Sequence, residues 1–320
     1  MEAAFETHAA RRLRERRVAL LDAAVALAII LIGVAGASYV FLEGRSVDFS
    51  YFTSTPYTFD DPVLRLFVGA LAVAFLATLI SFVLGLAIGF LTGWERAAGP
   101  HRVWARRRGL AGGARARHLA LGGLRYGLRR FADFYVELVR GTPLVVQMFF
   151  IWEVVLLTAP PSWDIHTRSL VAGVAAMTFN TGGYQSEIFR AGISAVASGQ
   201  LEAARAVGFH RLGAMSHIVL PQALRLVLPP LTNEFVTLFK ASSLLFFIGV
   251  VEVTSLAKTL TNIDPKIFEL FLLTTALYLL ITVPASRASG LLERRYRIPG
   301  LGLGPGPRQS PRVGKGSPEN

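Results

Sequence analysis

The chain has 320 residues, 52% of them hydrophobic and only 17% charged, with a formal net charge of +12 and no cysteine. Soluble domains carry about a quarter charged residues, so an ordinary soluble enzyme does not fit, and disulfides and cysteine-based metal sites are excluded. A basic surplus suits either nucleic acid or the cytoplasmic loops of a membrane protein, and the placement of the arginines decides between them.

The apolar residues fall in six long blocks, at 18–42, 63–92, 142–158, 170–184, 224–253 and 267–286. A helix needs about 20 residues to cross the hydrocarbon core. Only helices and closed barrels satisfy the backbone there, and these blocks are too long and too evenly apolar for barrel strands. The expected fold is therefore an all-α membrane protein with about six transmembrane helices. The first block follows Arg11, Arg12, Arg14, Arg16 and Arg17. It is too long for a signal-peptide core and is read as a retained anchor.

The loops set the orientation. Segment 43–62 holds Glu43, Asp48, Asp60 and Asp61 against Arg45, whereas 93–130 is crowded with arginines from Arg96 to Arg130. The positive-inside rule puts the N-terminal tail and 93–130 in the cytoplasm and 43–62 outside. Arg294, Arg295 and Arg297 after the sixth block agree with a cytoplasmic C-terminus. The basic stretch 93–130 is read as a solvated loop touching anionic membrane lipid. From Gly300 on, Gly, Pro, Ser and Arg bury almost nothing, and disorder is expected.

Between the fourth and fifth blocks lies 186–222, which is neither apolar nor loop-like. Residues 201–207 favour helix. Gly208 suits a left-handed helix end. A second helical run, 212–220, is expected to close at Pro221. This reads as two short helices bent at a glycine on the cytoplasmic face. A DNA-reading helix-turn-helix and an amphipathic loop on the membrane surface remain open on composition alone.

The run EAARAVG at 202–208, with Gln200 before it and IVLPQ after it, resembles the EAA loop of binding-protein-dependent ABC importer permeases. YVELVRGTPLVVQMFF at 135–150, NTGGYQSEIFRAGI at 180–193, LPQALRLVLPPLTNEF at 220–235, KASSLLFFIGVVEV at 240–253 and LERRY at 292–296 are similar to the polar amino-acid branch (histidine, glutamine, arginine, opine). The resemblance covers about half the chain, 134–297. It implies a type I importer transmembrane domain with a cytoplasmic coupling helix that docks on a separate ATPase. By that likeness Glu202, Ala203, Ala204 and Gly208 are the coupling positions. It also implies a second permease, its own copy or a paralogue, and an extracytoplasmic solute-binding protein. The family's Lys-(Asp/Asn)-(Thr/Ser)-Ser-Leu stands here as Lys240-Ala241-Ser242-Ser243-Leu244, lacking one polar residue.

The sequence contains no G-x-x-x-x-G-K-[ST] phosphate loop. ATP and magnesium are therefore expected on a partner ATPase, with no cofactor in this chain and no catalytic site. His210 and His217 are too few for a convincing metal site. Nucleic acid is not expected as a partner.

Polar groups at membrane depth are costly and default to functional candidates. Gln147 and Glu153 lie in the third block, Asn180 in the fourth, and Asn233, Glu234 and Lys240 in the fifth. A zwitterionic amino acid needs an acceptor for its ammonium, such as Glu153 or Glu234, and donors for its carboxylate, such as Lys240 or Asn180. The same residues also suit pairing across helices. Pro229 and Pro230 are expected to break or kink the fifth span. Glu187 and Arg190 read as a structural pair. The domain reading is a basic tail, first span and external loop at 1–62, a permease core at 63–297 with the loop at 186–222, and a tail at 298–320. An ion-coupled secondary amino-acid transporter is the alternative.

Overall fold

The computed structural model describes Tyr51, residues 62–97 and residues 112–296. The first apolar block, most of the external loop and the C-terminal tail lie outside the described residues. The chain divides into two units, Met1–Ser54 and Thr55–Asn320, and the helices belong to the second. They are α1 (Val63–Ala97), α2 (Gly112–Gly141), α3 (Leu144–Thr158), α4 (Ile165–Ala206), α5 (Arg211–Ala214), α6 (Leu220–Ala241), α7 (Val253–Ile263) and α8 (Ile267–Tyr296). A π-helical turn at Met215–Val219 joins α5 to α6, and a 3₁₀ segment at Ser242–Ile248 follows α6. No strand occurs among the described residues.

Three stretches, Val63–Ala97, Met215–Ile248 and Ile267–Arg295, are long and apolar enough to cross a membrane. The third expected block, α3, has 15 residues and is too short to cross alone. It pairs with Gly122–Gly141 across a bend of 111°. Here the sequence reading is corrected: 112–130 is not a loop but the first part of α2. Its Ala, Leu and Arg content favours helix, and the interspersed glycines hid this.

The fourth block is the least apolar because its helix is the most enclosed. α4 packs against α1, α2, α3 and α6, so its polar side chains face protein rather than lipid. The closest approach is to α1. Ala70, Ala74, Ala77, Ser81, Gly85, Gly89 and Gly93 recur every third or fourth residue and are all buried. A Cβ on Gly89 would lie 2.6 Å from Gln185 Cβ and 3.0 Å from the Ser186 backbone nitrogen. A Cβ on Gly93 would lie 2.6 Å from the Ser186 carbonyl oxygen. Small residues let two membrane helices approach to backbone contact, where dispersion attraction is strongest. Around this seam Met148, Met177, Leu238, Leu245 and Ile248 form a buried cluster joining α3, α4, α6 and the 3₁₀ segment.

At one end of the seam Arg96 ties three helices together. Its Nε donates to Asp133 of α2 at 2.8 Å, and its Nη1 donates to Glu187 of α4 at 2.8 Å. Arg190 donates to the same Glu187 carboxylate, as the sequence pairing anticipates. Glu187 lies beyond the apolar block of α4. Hydrogen bonding from Arg190 above all, with Arg96 adding and burial opposing, pulls its carboxyl down to about 2.

Two expectations for the second half of the bundle are corrected. Pro221 does not close a helix: the chain stays helical through it, and the preceding turn widens so that the Leu220 N–H reaches the Met215 carbonyl. Such a π turn is one way a helix absorbs a local disruption to its bonding. Pro229 and Pro230 do not interrupt α6 either. The carbonyls that the two prolines leave without helical donors are those of Arg225 and Leu226, four residues earlier. Ser289 of α8 donates to the Pro229 carbonyl at 3.1 Å and so fastens α8 to α6 at this point. The real interruption comes later, where α6 gives way to the 3₁₀ segment and Gly249 turns with φ +80.

Two outcomes follow from the seam and the clamp. Gly89→Ala should destabilise the detergent-solubilised protein by about 1–3 kcal/mol through overpacking. Gly69→Ala, which meets nothing within 4 Å, should leave the melting midpoint in place. Because the folded Glu187 carboxyl lies near 2, below its ordinary 4.5, its stabilisation is complete above about pH 4.5 and is lost as pH falls toward 2. Melting midpoints of wild type and Glu187→Gln against pH should differ by a constant amount at neutral pH and converge in that acid window.

Candidate functional site

The coupling segment is a helical hairpin. α4 continues unbroken to Ala206, so the two-short-helices reading of 186–222 is corrected in its first half: the leading helix is the end of a 42-residue helix. Sequence showed the helical composition but no break after the apolar block, because none exists. Gly208 turns the chain with φ +90, and the Phe209 N–H bonds the Ala204 carbonyl at 3.0 Å. This six-to-one bond past a left-handed glycine is the Schellman helix end. The chain then returns through α5 and the π turn. Ile193 and Val196 of α4 pack on Met215, Val219 and Ala223 of the returning arm. Gly192 lets that arm close in, since a Cβ there would lie 2.3 Å from Val227.

At the tip, Val207 is 76% exposed and Phe209 44% exposed, while Ala204 is buried. Ala204 therefore faces into the hairpin. Glu202 and Ala203 lie on α4, six and five residues before Gly208. The segment thus presents apolar side chains at the end of a braced arm. Sequence reasoning passed over Val207 and Phe209, although two large apolar residues flanking a turn glycine are a usable signal.

The pathway candidates separate into two groups. Gln147, Asn180 and Glu234 are engaged with protein. The Gln147 amide donates to the Val139 carbonyl at 2.9 Å and to the carbonyl and hydroxyl of Thr142. These acceptors lie at the C-terminal end of α2, where the bend leaves carbonyls without helical donors. Gln147 Oε1 in turn accepts from Asn180 Nδ2 at 3.0 Å. Glu234 accepts from the Thr181 hydroxyl at 3.0 Å, and Thr181 accepts from Gln185, which also donates to the Phe82 carbonyl. A polar chain thus crosses from α1 through α4 to α6. Glu153, Asn233 and Lys240 form the second group and are exposed. Asn233, Thr237 and Lys240 recur at helical spacing along one face of α6.

Two polar positions escaped the sequence reading. Glu252, fully buried, caps α7 by accepting from the N–H groups of Thr254 and Ser255 at 2.9 and 2.8 Å, and it accepts from the Tyr278 hydroxyl at 3.1 Å. It was hidden at the edge of an apolar block, though a carboxylate before Thr-Ser at a helix start signals a cap. Arg168 donates to the carbonyls of Trp163 and Pro160 at 3.0 Å each, holding the short α3–α4 turn.

The comparisons with known proteins fall on this architecture. Residues 122–298 match the family of binding-protein-dependent transport system inner membrane components. The chain is 35% identical over 161 residues to the probable glutamine ABC transporter permease protein GlnM of Bacillus subtilis, covering 50% of this chain and 72% of that protein. It is 39% identical over 164 residues to the nopaline transport system permease protein NocM of Agrobacterium fabrum, covering 50% of this chain and 68% of that one. The crystal structure of an amino acid ABC transporter with histidines matches with a TM-score of 0.59 at 28% identity, covering 72% of this chain and 94% of the other. The inward-facing methionine transporter MetNI shares the fold, at TM-score 0.53 and 17% identity. With the family match spanning more than half its length and its helices following the importer fold, this chain belongs to the binding-protein-dependent transport system inner membrane components.

Proposed function

We propose that the chain translocates polar amino acids, delivered by a solute-binding protein and driven by separate ATPase subunits that bind ATP and magnesium. The substrate class rests on relatives named for glutamine, nopaline and octopine. The observation that carries the mechanism is the hairpin: an exposed apolar tip, Val207 and Phe209, at the end of a helix that runs unbroken from the bundle. The tip, with Glu202, Ala203 and Gly208, docks in a groove of the ATPase; Ala204, also expected as a coupling position, is buried inside the hairpin and supports the tip from behind. Because no hinge interrupts α4, movement of the tip rotates the whole helix, and with it the contacts that Asn180 and Thr181 make to Gln147 and Glu234. Nucleotide state thereby biases the pathway between its two accessible faces, a coupling free energy between distant sites.

The exposed polar stripe Asn233, Thr237 and Lys240 is unsuited to lipid. It faces a water-filled route between this chain and a second permease, its own copy or a paralogue. Lys240 and Asn233 there offer donors to a substrate carboxylate, and Glu153 an acceptor to its ammonium. Gln147, Asn180 and Glu234 shape the route from behind. The arginine-rich end of the bundle lies in the cytoplasm with both termini, and the protein sits in the cell membrane. The functional core is 63–297, preceded by a basic tail with one further span at 1–62 and followed by a tail at 298–320.

Pull-down of the tagged protein in mild detergent should bring an ATPase, a permease and, with substrate, a binding protein. Uptake by the purified chain in liposomes under an ion gradient, with no ATPase present, would instead support secondary transport and overturn the proposal. Gly208→Val should reduce ATP-driven uptake at least tenfold with insertion unchanged: a β-branched residue at φ +90 is strained by roughly 1–3 kcal/mol. Gly208→Asn, which tolerates the left-handed region better, should retain more uptake than Gly208→Val.

A further inference from the structure

We propose that α2 is a docking surface for anionic phospholipid headgroups, and that this contact bears on the coupling hairpin through Arg96. The helix has two exposed characters side by side. Leu124, Leu128, Phe131, Phe134 and Leu138, three or four residues apart, form an apolar stripe, with Phe131 68% and Phe134 62% exposed. The same helix carries Arg125, Arg129, Arg130 and Arg140, exposed or half-buried, against Asp133 and Glu137. An apolar stripe beside an arginine-rich face is the pattern of a helix lying in the membrane interface.

The geometry agrees. The 111° bend takes Gly122–Gly141 out of line with α3. α2 meets the last turn of α1 where Arg125 pairs with Glu95 and Asp133 accepts from Arg96. Its final turns then enter the bundle, with Tyr135, Val136 and Val139 packed on Ile88 of α1 and Phe179 of α4, so the arginine-rich part of the helix sits at the end of α1 and the last part sits alongside it. Arg130 is positioned to meet a headgroup: its guanidinium stacks over Tyr126 at 5.4 Å and its Nε donates to the Tyr126 hydroxyl at 3.1 Å, with no carboxylate bond among the described residues. An anionic phospholipid satisfies both faces at once, acyl chains along the stripe and phosphate against the guanidinium groups. Nucleic acid would satisfy only the basic face and leave the leucines and phenylalanines in water.

The lipid contact has a route inward. Asp133 on α2 holds Arg96, which holds Glu187 on α4, and α4 ends at the hairpin tip. How firmly α2 seats on the bilayer is thereby felt by the helix that meets the ATPase. This second half rests on the coupling role proposed above; the lipid contact itself does not.

The test measures the two halves separately. Association of spin-labelled phosphatidylglycerol and phosphatidylcholine with the full-length chain is measured in reconstituted membranes. The wild type should prefer phosphatidylglycerol severalfold, and the preference should weaken with salt. R125Q/R129Q/R130Q should at least halve it, with R130Q alone as the milder variant if the triple one melts early. Equal association of the two lipids, or a preference unchanged in both variants, overturns the lipid contact. So does duplex DNA binding that depends on these arginines in the absence of lipid selectivity. In vesicles holding the chain with its ATPase and binding protein, stimulated ATP hydrolysis should rise severalfold with the phosphatidylglycerol fraction. Arg96→Gln should keep the lipid preference and flatten that rise. A rise equally steep in Arg96→Gln overturns the route through the clamp.

Discussion

The bundle depends on one close approach, the contact of α1 with α4 at Gly85, Gly89 and Gly93. In lipid there is little hydrophobic gain from pressing two apolar helices together, so association rests on dispersion contacts and hydrogen bonds. The glycines bring backbones near enough for both. They also hide the polar side chains of α4, so that Thr181 and Gln185 bond within the protein instead of meeting lipid. The enclosed position of α4 explains why the fourth block is the least apolar of the six.

A second regularity concerns places where helices stop or are disturbed. Two of them are answered by a specific side chain. Gln147 serves the carbonyls left at the α2–α3 bend, and Glu252 caps α7. A buried backbone group without a partner costs several kcal/mol in hydrocarbon, so these polar side chains repair the chain before they are available for anything else. That distinguishes Gln147, spent on its own backbone, from Lys240 and Asn233, which stand exposed.

The helical class, the second, fifth and sixth blocks and the Glu187–Arg190 pair were legible in the sequence. Their signals are local: long apolar runs and residues three apart. Gly208 was legible for the same reason, since a helix-favouring run followed by glycine specifies its own end. The continuity of α4 was not legible, because the polar residues after Tyr184 read as a separate cytoplasmic element unless one knows that other helices cover them. Nor was the unbroken helicity of α6 through Pro229 and Pro230, since prolines inside a run ordinarily argue for a break. Asp133 and Arg96 were readable as charges but not as partners, being 37 positions apart. Local chemistry was visible throughout; which neighbours would repair or conceal it was a property of the packed bundle.

The uninterrupted span of α4 has a mechanical corollary. At 1.5 Å per residue its 42 residues form a rod roughly 60 Å long. The glycine seam grips it over residues 181–190, about its midpoint, so the seam acts as a central fulcrum. A tilt of about 5° about that point would sweep the tip by roughly 3 Å and swing the opposite end, near Ile165, the other way by about the same distance. A stiff beam on a central pivot thus converts one small rotation into opposed displacements at its two ends, with no flexible part required between them.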